Sequence, residues 1–553
     1  MDSITKTLPN YKKYNHYIEA VKSKTSPIML SGLTDVAKIH FAYSTFFYTE
    51  KPILLVTYNE IQAKKLIKDL AFFAEQIDVF PKREIFAYDY IAENKDNYYD
   101  RMKVLNNIKS GKSKIVVTTI EALQQKIVPK KTLYKNELSI KVGQTIELNE
   151  LKEKLIQLGY ERYDLVEAGG QFSTRGGIVD IASFDDIGIR IEFWGDEVDS
   201  IRYFNLKDQR STETKEDVTI YPAHEFVLEK SLEEVCEDIL ENNQETDAIL
   251  EDIEQIKSGN YLEKIDKYFN SFYKEQATLI DYIQDDFIIF LDEVSKIKAR
   301  TENILKDNKN LMKSLMEKGK TVPDSYKIYD DYIQFLKTIQ NKQVIYLEKQ
   351  DIGFVDKQSM HAKRNGYSFS YREVNFFRSS MDLCLQEIQK AELNKKTVII
   401  LGGSQENSKK LYEWLIEQNV KCTFSTNKED NITPGVVLVT SGALSAGFES
   451  YDFETLVISG EELFNTTKPK RVVSTAFKQG ETVVFSDLKP GDYVVHKSNG
   501  IGQFVGVNTI RADNIVKDYI KIQYRDGDCL YIPTNQLDNI RKYIGAGDRN
   551  TKT

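Results

Sequence analysis

Short runs of Ile, Val and Leu recur along this chain with amphipathic stretches between them, and that alternation restricts the fold more than any other feature. IMLS at 28–31, ILLVT at 53–57 and IVVTT at 115–119 are continuous and rich in Ile and Val, as strands buried on both faces are. NEIQAKKLIKDLAFF at 59–73 carries apolar residues at helical spacing. Strand and helix in alternation imply a parallel sheet covered by helices. FIIFLDE at 287–293 and QVIYLE at 343–348 read as further buried strands. A second α/β unit is expected over 355–463, with strands TVIILGG (397–403), GVVLVTSG (435–442) and ETLVISG (454–460).

Two regions break this pattern. Residues 127–220 hold period-2 segments, GIVDIA at 177–182 and GIRIEFW at 188–194, with turn-forming Gly and Asp between. They read as a small mixed domain inserted into the first. From 484 the chain is all-β: VVFSDL, DYVVHK, GIGQFVGV, DYIKIQY and CLYIP, separated by KPG, SNG and RDGD turns, as in a small barrel. The stretch 228–285 is acidic and helical, and reads as a solvated helical surface. Residues 464–483 are basic and aperiodic, a linker. Its Lys468, Lys470 and Arg471 are candidates to touch DNA, although a charge run of this kind is more often simply solvated.

At 553 residues the chain exceeds one core and should divide into three to five domains. A net charge of −9 argues against a surface built wholly for DNA and suits a protein that binds proteins. The four cysteines, Cys236, Cys384, Cys422 and Cys529, lie far apart with no CxxC pair, so neither a zinc site nor a disulfide framework is expected. The histidines at 16, 40, 224, 361 and 496 are scattered. No metal site and no catalytic residue are expected. With no signal-like start and no run of about 18 apolar residues, the sequence reads as soluble and cytoplasmic, without a membrane partner.

One motif is informative by its loss. The turn after the first strand should carry GxxxxGK[ST] if it cradles a nucleotide, with glycines for backbone approach, Lys for the phosphates and a hydroxyl for Mg²⁺. Here it reads Leu30-Ser31-Gly32-Leu33-Thr34-Asp35-Val36-Ala37-Lys38. Gly32 alone is suitably placed, Thr34 does not sit in a Gly-Lys-Thr, and Asp35 sets a negative charge where phosphate would lie. Asp292 and Glu293 follow an apolar strand, as a Walker B acidic pair does, although a solvated strand end is the commoner explanation. Together these features point to a nucleotide-binding fold that has lost its nucleotide.

The degenerate turn, PKREIFAYDY (81–90), DRMKVLNNIKSGKSKIVVTTIEALQQK (100–126) and the Asp-Glu strand resemble the damage-recognition helicase UvrB. GYERYDLVEAGGQFSTRGGIVDIASFDDIGIRIEFWGDEVDSIRYFNLKDQRS (159–211) closely resembles the UvrA-binding domain that UvrB shares with transcription-repair coupling factors. GDYVVHKSNGIGQFVGVNTIRADNIVKDYIKIQYRDGDCLYIPTNQLDNIRKY (491–543) resembles the polymerase-interacting domain of coupling factors and CarD-like regulators, which UvrB lacks. The chain therefore resembles the front half of the coupling-factor family, least so over 228–285 and 355–463. The resemblance implies a multi-domain α/β protein: a degenerate RecA/helicase-like parallel sheet, an inserted α+β UvrA-binding domain, a second α/β domain and a C-terminal Tudor-like β-barrel. The implied divisions are 1–126 (domain 1A), 127–220 (domain 2), 221–354 (the rest of the UvrB-like module), 355–463 (domain 3), 464–483 (linker) and 484–546 (polymerase-interacting domain).

The family likeness implies partners and sites as well. UvrA contact falls on Arg175, Arg190 and Trp194, residue types that dominate interface hot spots; on a strand Arg190 and Trp194 share one face. From the residues alone the plainer reading is stronger, with Arg175 ordering its own turn and Trp194 filling the core; the resemblance reverses that preference. The family often carries Phe where Trp194 stands, which changes pocket size and keeps an apolar anchor. Contact with the RNA polymerase β subunit falls on Asn508, Thr509, Ile510 and Arg511, with Ile510 as the apolar plug, or else as a residue of the barrel core. ATP, Mg²⁺ and most double-stranded DNA contact belong, in the family, to motor domains expected beyond this chain, which is then a monomeric scaffold and no ATPase, its UvrA face unmasked. The rivals are an active UvrB-like ATPase and a CarD-like transcription regulator.

Overall fold

A computed structural model describes residues 2–83, 95–182, 187–243, 245–258, 264–265, 267–317, 329–351, 356–374, 381–425, 432–460, 493–496, 500–512, 515–523, 529–533 and 540–542. The Ile/Val runs form a seven-stranded sheet in the order Gly366–Ser368, Ile28–Ser31, Gln343–Leu347, Ile288–Asp292, Ile53–Thr57, Ile115–Thr119, Asp78–Phe80. Every neighbouring pair is parallel. Both faces are covered, which is why the runs are continuous rather than alternating: Ile53 and Leu55 enter one core, Leu54 and Val56 the other. The helix Asp35–Thr49 begins at Thr34, whose hydroxyl accepts from the Ala37 N–H. Glu60–Phe73 begins at Asn59, which accepts from Gln62 N–H at 2.8 Å. Both caps satisfy a donor that the first helical turn leaves free.

The sheet gathers more chain than the sequence divisions gave it. Gly366–Ser368, assigned to 355–463, pairs with Ile28–Ser31; three residues with little apolar content carry no strand signal. Ile127, Val128 and Leu133, assigned to the inserted domain, pack in the core of this first unit. The acidic stretch 228–285 is also corrected. Its helices Leu232–Asn242 and Asp247–Lys257 bury Val235, Cys236, Ile239, Ile249, Ile253 and Ile256 in that same core. Their outer faces are solvated, Leu240 and Leu250 among the charged residues there.

The inserted region forms a six-stranded sheet in the order Ser211–Lys215, Glu197–Asn205, Ile187–Trp194, Ile178–Ala182, Gln171–Arg175, Glu161–Arg162. It is antiparallel apart from its last pair. Leu138–Lys141 and Asp217–Ile220 pair antiparallel beside it. Leu151 and Leu155 of the helix Leu148–Gln157 close its core against Phe172, Val179, Ile189 and Ile191.

The chain returns from this sheet through Glu225, which is buried between two arginines of the first unit. Arg83 donates to Glu225 Oε1 at 3.1 Å, and Arg101 donates to both oxygens at 2.9–3.1 Å. All three side chains are almost wholly buried. Arg83 Nη2 also donates to Lys126 O and Arg101 Nη1 to Pro81 O, and the two groups lie over the Phe226 and Phe80 rings.

A third sheet runs Tyr371–Glu373, Phe448–Ser450, Thr455–Ser459, Thr397–Leu401, Val437–Thr440, Cys422–Ser425. Its centre is parallel and its first two pairings antiparallel. Ile399, Leu401, Leu438, Leu444, Phe448 and Phe453 share one core with Leu30, Phe41 and Leu55 of the first unit. The last sheet, wholly antiparallel, has the order Cys529–Pro533, Ile515–Gln523, Gly500–Ala512, Tyr493–His496, Ile540–Lys542.

Candidate functional sites

The turn after Ile28–Ser31 lies at the carboxyl end of the parallel sheet, where ligands of such sheets bind. Gly32 has φ +78°, and a Cβ there would lie 1.8 Å from the Phe369 carbonyl oxygen. Phe369 N–H donates to Ser31 O at 2.9 Å and Tyr371 N–H to Gly32 O at 3.3 Å. The backbone approach that Gly32 permits is thus taken by the chain itself.

Sequence reasoning missed the residue at the centre of this site. Lys38, one turn into the helix and 1% exposed, sends its ammonium to Asp292 Oδ1 at 2.7 Å and pairs with Glu293. Asp292 also accepts from the Thr57 hydroxyl at 2.8 Å. Burial works against the Lys38 charge, but Asp292 and Glu293 outweigh it and raise its pKa. Asp35 is engaged by Lys65 at 2.6 Å and Lys349 at 3.3 Å. Burial opposes that carboxylate too, and the lysines outweigh it and hold it below its usual range. Glu348 completes the group: one oxygen accepts from Val294 N–H at 2.9 Å and the other has no partner among the described residues. Burial pushes its pKa up to about 8 against the Val294 hydrogen bond. Nothing local in the sequence announces Lys38, because its partners stand 254 and 255 residues away.

On the small sheet, Arg175, Arg190 and Asp180 meet on one face. Arg190 grips Asp180 through Nε at 2.7 Å and Nη2 at 2.9 Å, and Arg175 Nη2 reaches the same carboxylate at 2.9 Å. The Arg190 guanidinium also lies 4.6 Å from the Phe204 ring centre. The fork expected to grip a partner's carboxylate is, for Arg190, already committed to Asp180. Its side chain is 17% exposed against 53% for Arg175. Trp194, at the end of its strand before the positive-φ Gly195, is 84% exposed. The reading that placed it in the core does not hold.

Asn508, Thr509, Ile510 and Arg511 lie in the strand Gly500–Ala512, opposite Tyr519, Asp518, Lys517 and Val516. The start of that strand also pairs with Tyr493–His496, through Gly500 to Gln503. Among the described residues, positions 508–511 have a strand on one side only. The side-chain directions of 508–511, and the cluster Lys468, Lys470 and Arg471, lie outside what is described.

Among the described residues, no group of three or more His, Cys, Asp or Glu is placed to hold a metal ion. No described helix is long and apolar enough to cross a membrane.

Comparison with known proteins adds two family matches: the UvrB interaction domain over residues 138–226 and the CarD-like/TRCF RID domain over 488–544. The chain is 30% identical to the transcription-repair-coupling factor of Bacillus subtilis (strain 168), with 100% of this chain and 48% of that protein aligned. It is 27% identical to the Staphylococcus haemolyticus (strain JCSC1435) protein of the same name, with 95% and 46% aligned. For that of Staphylococcus aureus (strain MRSA252) identity is 28% with the same coverage. The chain spans about half the length of these curated relatives.

Proposed function

From a chain similar over its whole length to transcription-repair-coupling factors, we propose a two-ended scaffold for transcription-coupled nucleotide-excision repair. One end, the small sheet, takes UvrA; the other, the last sheet, takes the RNA polymerase β subunit. In this reading the first sheet is a degenerate RecA/helicase-like domain, 355–463 is largely a second α/β domain, and the last sheet is a Tudor-like barrel. The whole-chain likeness to coupling factors favours this reading over a UvrB-like ATPase or a lone CarD-like regulator.

The observation that carries it is Trp194, a large aromatic side chain left in solvent on the same sheet as the half-exposed Arg175. A few residues carry most of the energy of a protein interface, and Trp and Arg are enriched among them. Arg190 is then chiefly a support for the face. Trp194→Ala is expected to weaken UvrA binding by about tenfold or more, and Arg175→Ala by less, with melting temperatures near wild type. Unchanged affinity for purified UvrA in both variants would remove the face from consideration.

For the other end, the support is the single-sided pairing of 508–511 among the described residues. A strand edge of this kind can add a partner's strand through backbone hydrogen bonds. Ile510→Arg should abolish capture of a polymerase β fragment while leaving UvrA binding intact. Equal capture by wild type and variant would refute that assignment. The same reading assigns this chain no ATP hydrolysis, supported by the Phe369 carbonyl against Gly32 and the Lys38 ion pairs.

A further inference from the structure

We infer that Lys38 is a tethered cation standing in a divalent-cation position at Asp292 and Glu293, so that the site after the first strand is closed by the chain's own charge. The inference rests on reading that turn as a nucleotide-site relic, and is independent of UvrA and polymerase docking. Asp292 is wholly buried, and a buried carboxylate without a counter-charge costs several kcal/mol. An ionised Asp292 is stable there only with a positive charge against it. In this chain that charge is an ammonium delivered from the first helical turn at 2.7 Å.

The surroundings match what a small divalent ion takes. Mg²⁺ is held by one or two carboxylates with water and substrate phosphates rather than by a cage of many acids, and a Ser or Thr hydroxyl joins them in P-loops. Asp292 and Glu293 are adjacent at the carboxyl end of their strand, and the Thr57 hydroxyl touches the same Asp292 carboxylate at 2.8 Å. Glu348, wholly buried, accepts from the Val294 N–H next to Glu293 and keeps one oxygen without a partner among the described residues. The ammonium has displaced the ion's function without displacing its ligands. It is also covalently attached, so neither dilution nor chelation removes it.

Lys38→Ala removes the charge and leaves space beyond Cβ; Lys38→Met removes the charge and fills the space. Thermal melts of the full chain with and without Mn²⁺ separate the two effects. Wild type should be indifferent to Mn²⁺. Both variants should melt lower, on the order of 10 °C, and Mn²⁺ should restore at least half of the loss in Lys38→Ala and little of it in Lys38→Met. Adding Asp292→Asn to Lys38→Ala should abolish the rescue. If Mn²⁺ shifts Lys38→Ala no more than wild type, the inference is wrong. Should Lys38→Ala be recovered only unfolded, refolding with and without Mn²⁺ decides: folding with the ion alone supports the site, and folding in neither condition overturns it.

Discussion

Glu225→Ala is expected to destabilise the first α/β unit by about 3–5 kcal/mol, the cost of leaving buried charges without their partner. Two guanidiniums, those of Arg83 and Arg101, converge on this carboxylate from the first unit, and neither has appreciable access to water. Their backbone acceptors, Lys126 O and Pro81 O, satisfy one donor each and neutralise nothing. Urea denaturation followed by circular dichroism measures the loss. Glu225→Gln should lose less because it keeps an acceptor, and Arg83→Met added to Glu225→Ala should recover part by removing one stranded charge. A Glu225→Ala midpoint matching wild type would mean that the node is not electrostatically required.

The position of Glu225 adds a second consequence. It lies where the chain leaves the small sheet, next to the helix Lys95–Lys109, whose Tyr99 packs so closely on Gly170 that a Cβ there would lie 2.3 Å from the ring. The proposed UvrA face is therefore mounted on the parallel sheet through this helix and the arginine clamp. Hydrogen exchange in residues 98–109 and 220–226 should accelerate in Glu225→Ala even below its unfolding transition, because the mount loosens before the sheets do.

The strands of the first sheet were legible because both their faces are buried. Each Ile/Val run at 28–31, 53–57, 115–119, 287–293 and 343–348 contains a strand with ends displaced by two residues or fewer. The short strand Gly366–Ser368 was not legible, since it is held by its parallel register with Met29, Leu30 and Ser31 rather than by its own side chains. The helices at 232–257 carry Val235, Ile239, Ile249, Ile253 and Ile256 at helical spacing, a signal outweighed in the reading by the surrounding charge. At the sites, residue types were legible and partnerships were not. Arg175, Arg190 and Trp194 stand out as chemistry, but Asp180, which fixes the first two, is an ordinary strand acid until the register with Arg190 is known. Lys38 and the arginine clamp depend on contacts more than a hundred residues apart, which no local pattern encodes.

Glu348→Gln should flatten a pH dependence that the wild-type fold carries because of one buried acid. The Glu348 carboxyl is held neutral: burial raises its pKa from 4.5 to about 8, with the carboxylates of Glu293 and Asp292 adding to the rise and Lys38 and the Val294 N–H opposing it. A folded-state pKa above the unfolded one means that the native state binds the proton more tightly. The stabilisation is complete below the unfolded value and is lost as pH rises through the folded one. Between about pH 5 and pH 8 wild type should therefore lose roughly 3–4 kcal/mol that Glu348→Gln does not lose. Gln keeps an acceptor for Val294 N–H and places an N–H donor where the second Glu348 oxygen has no partner among the described residues. The variant should then be close to wild type at pH 5 and clearly more resistant to urea at pH 8. Parallel curves for the two proteins across that range would mean that Glu348 titrates like a solvent-exposed acid, and that the charge balance around Lys38 is not the one described.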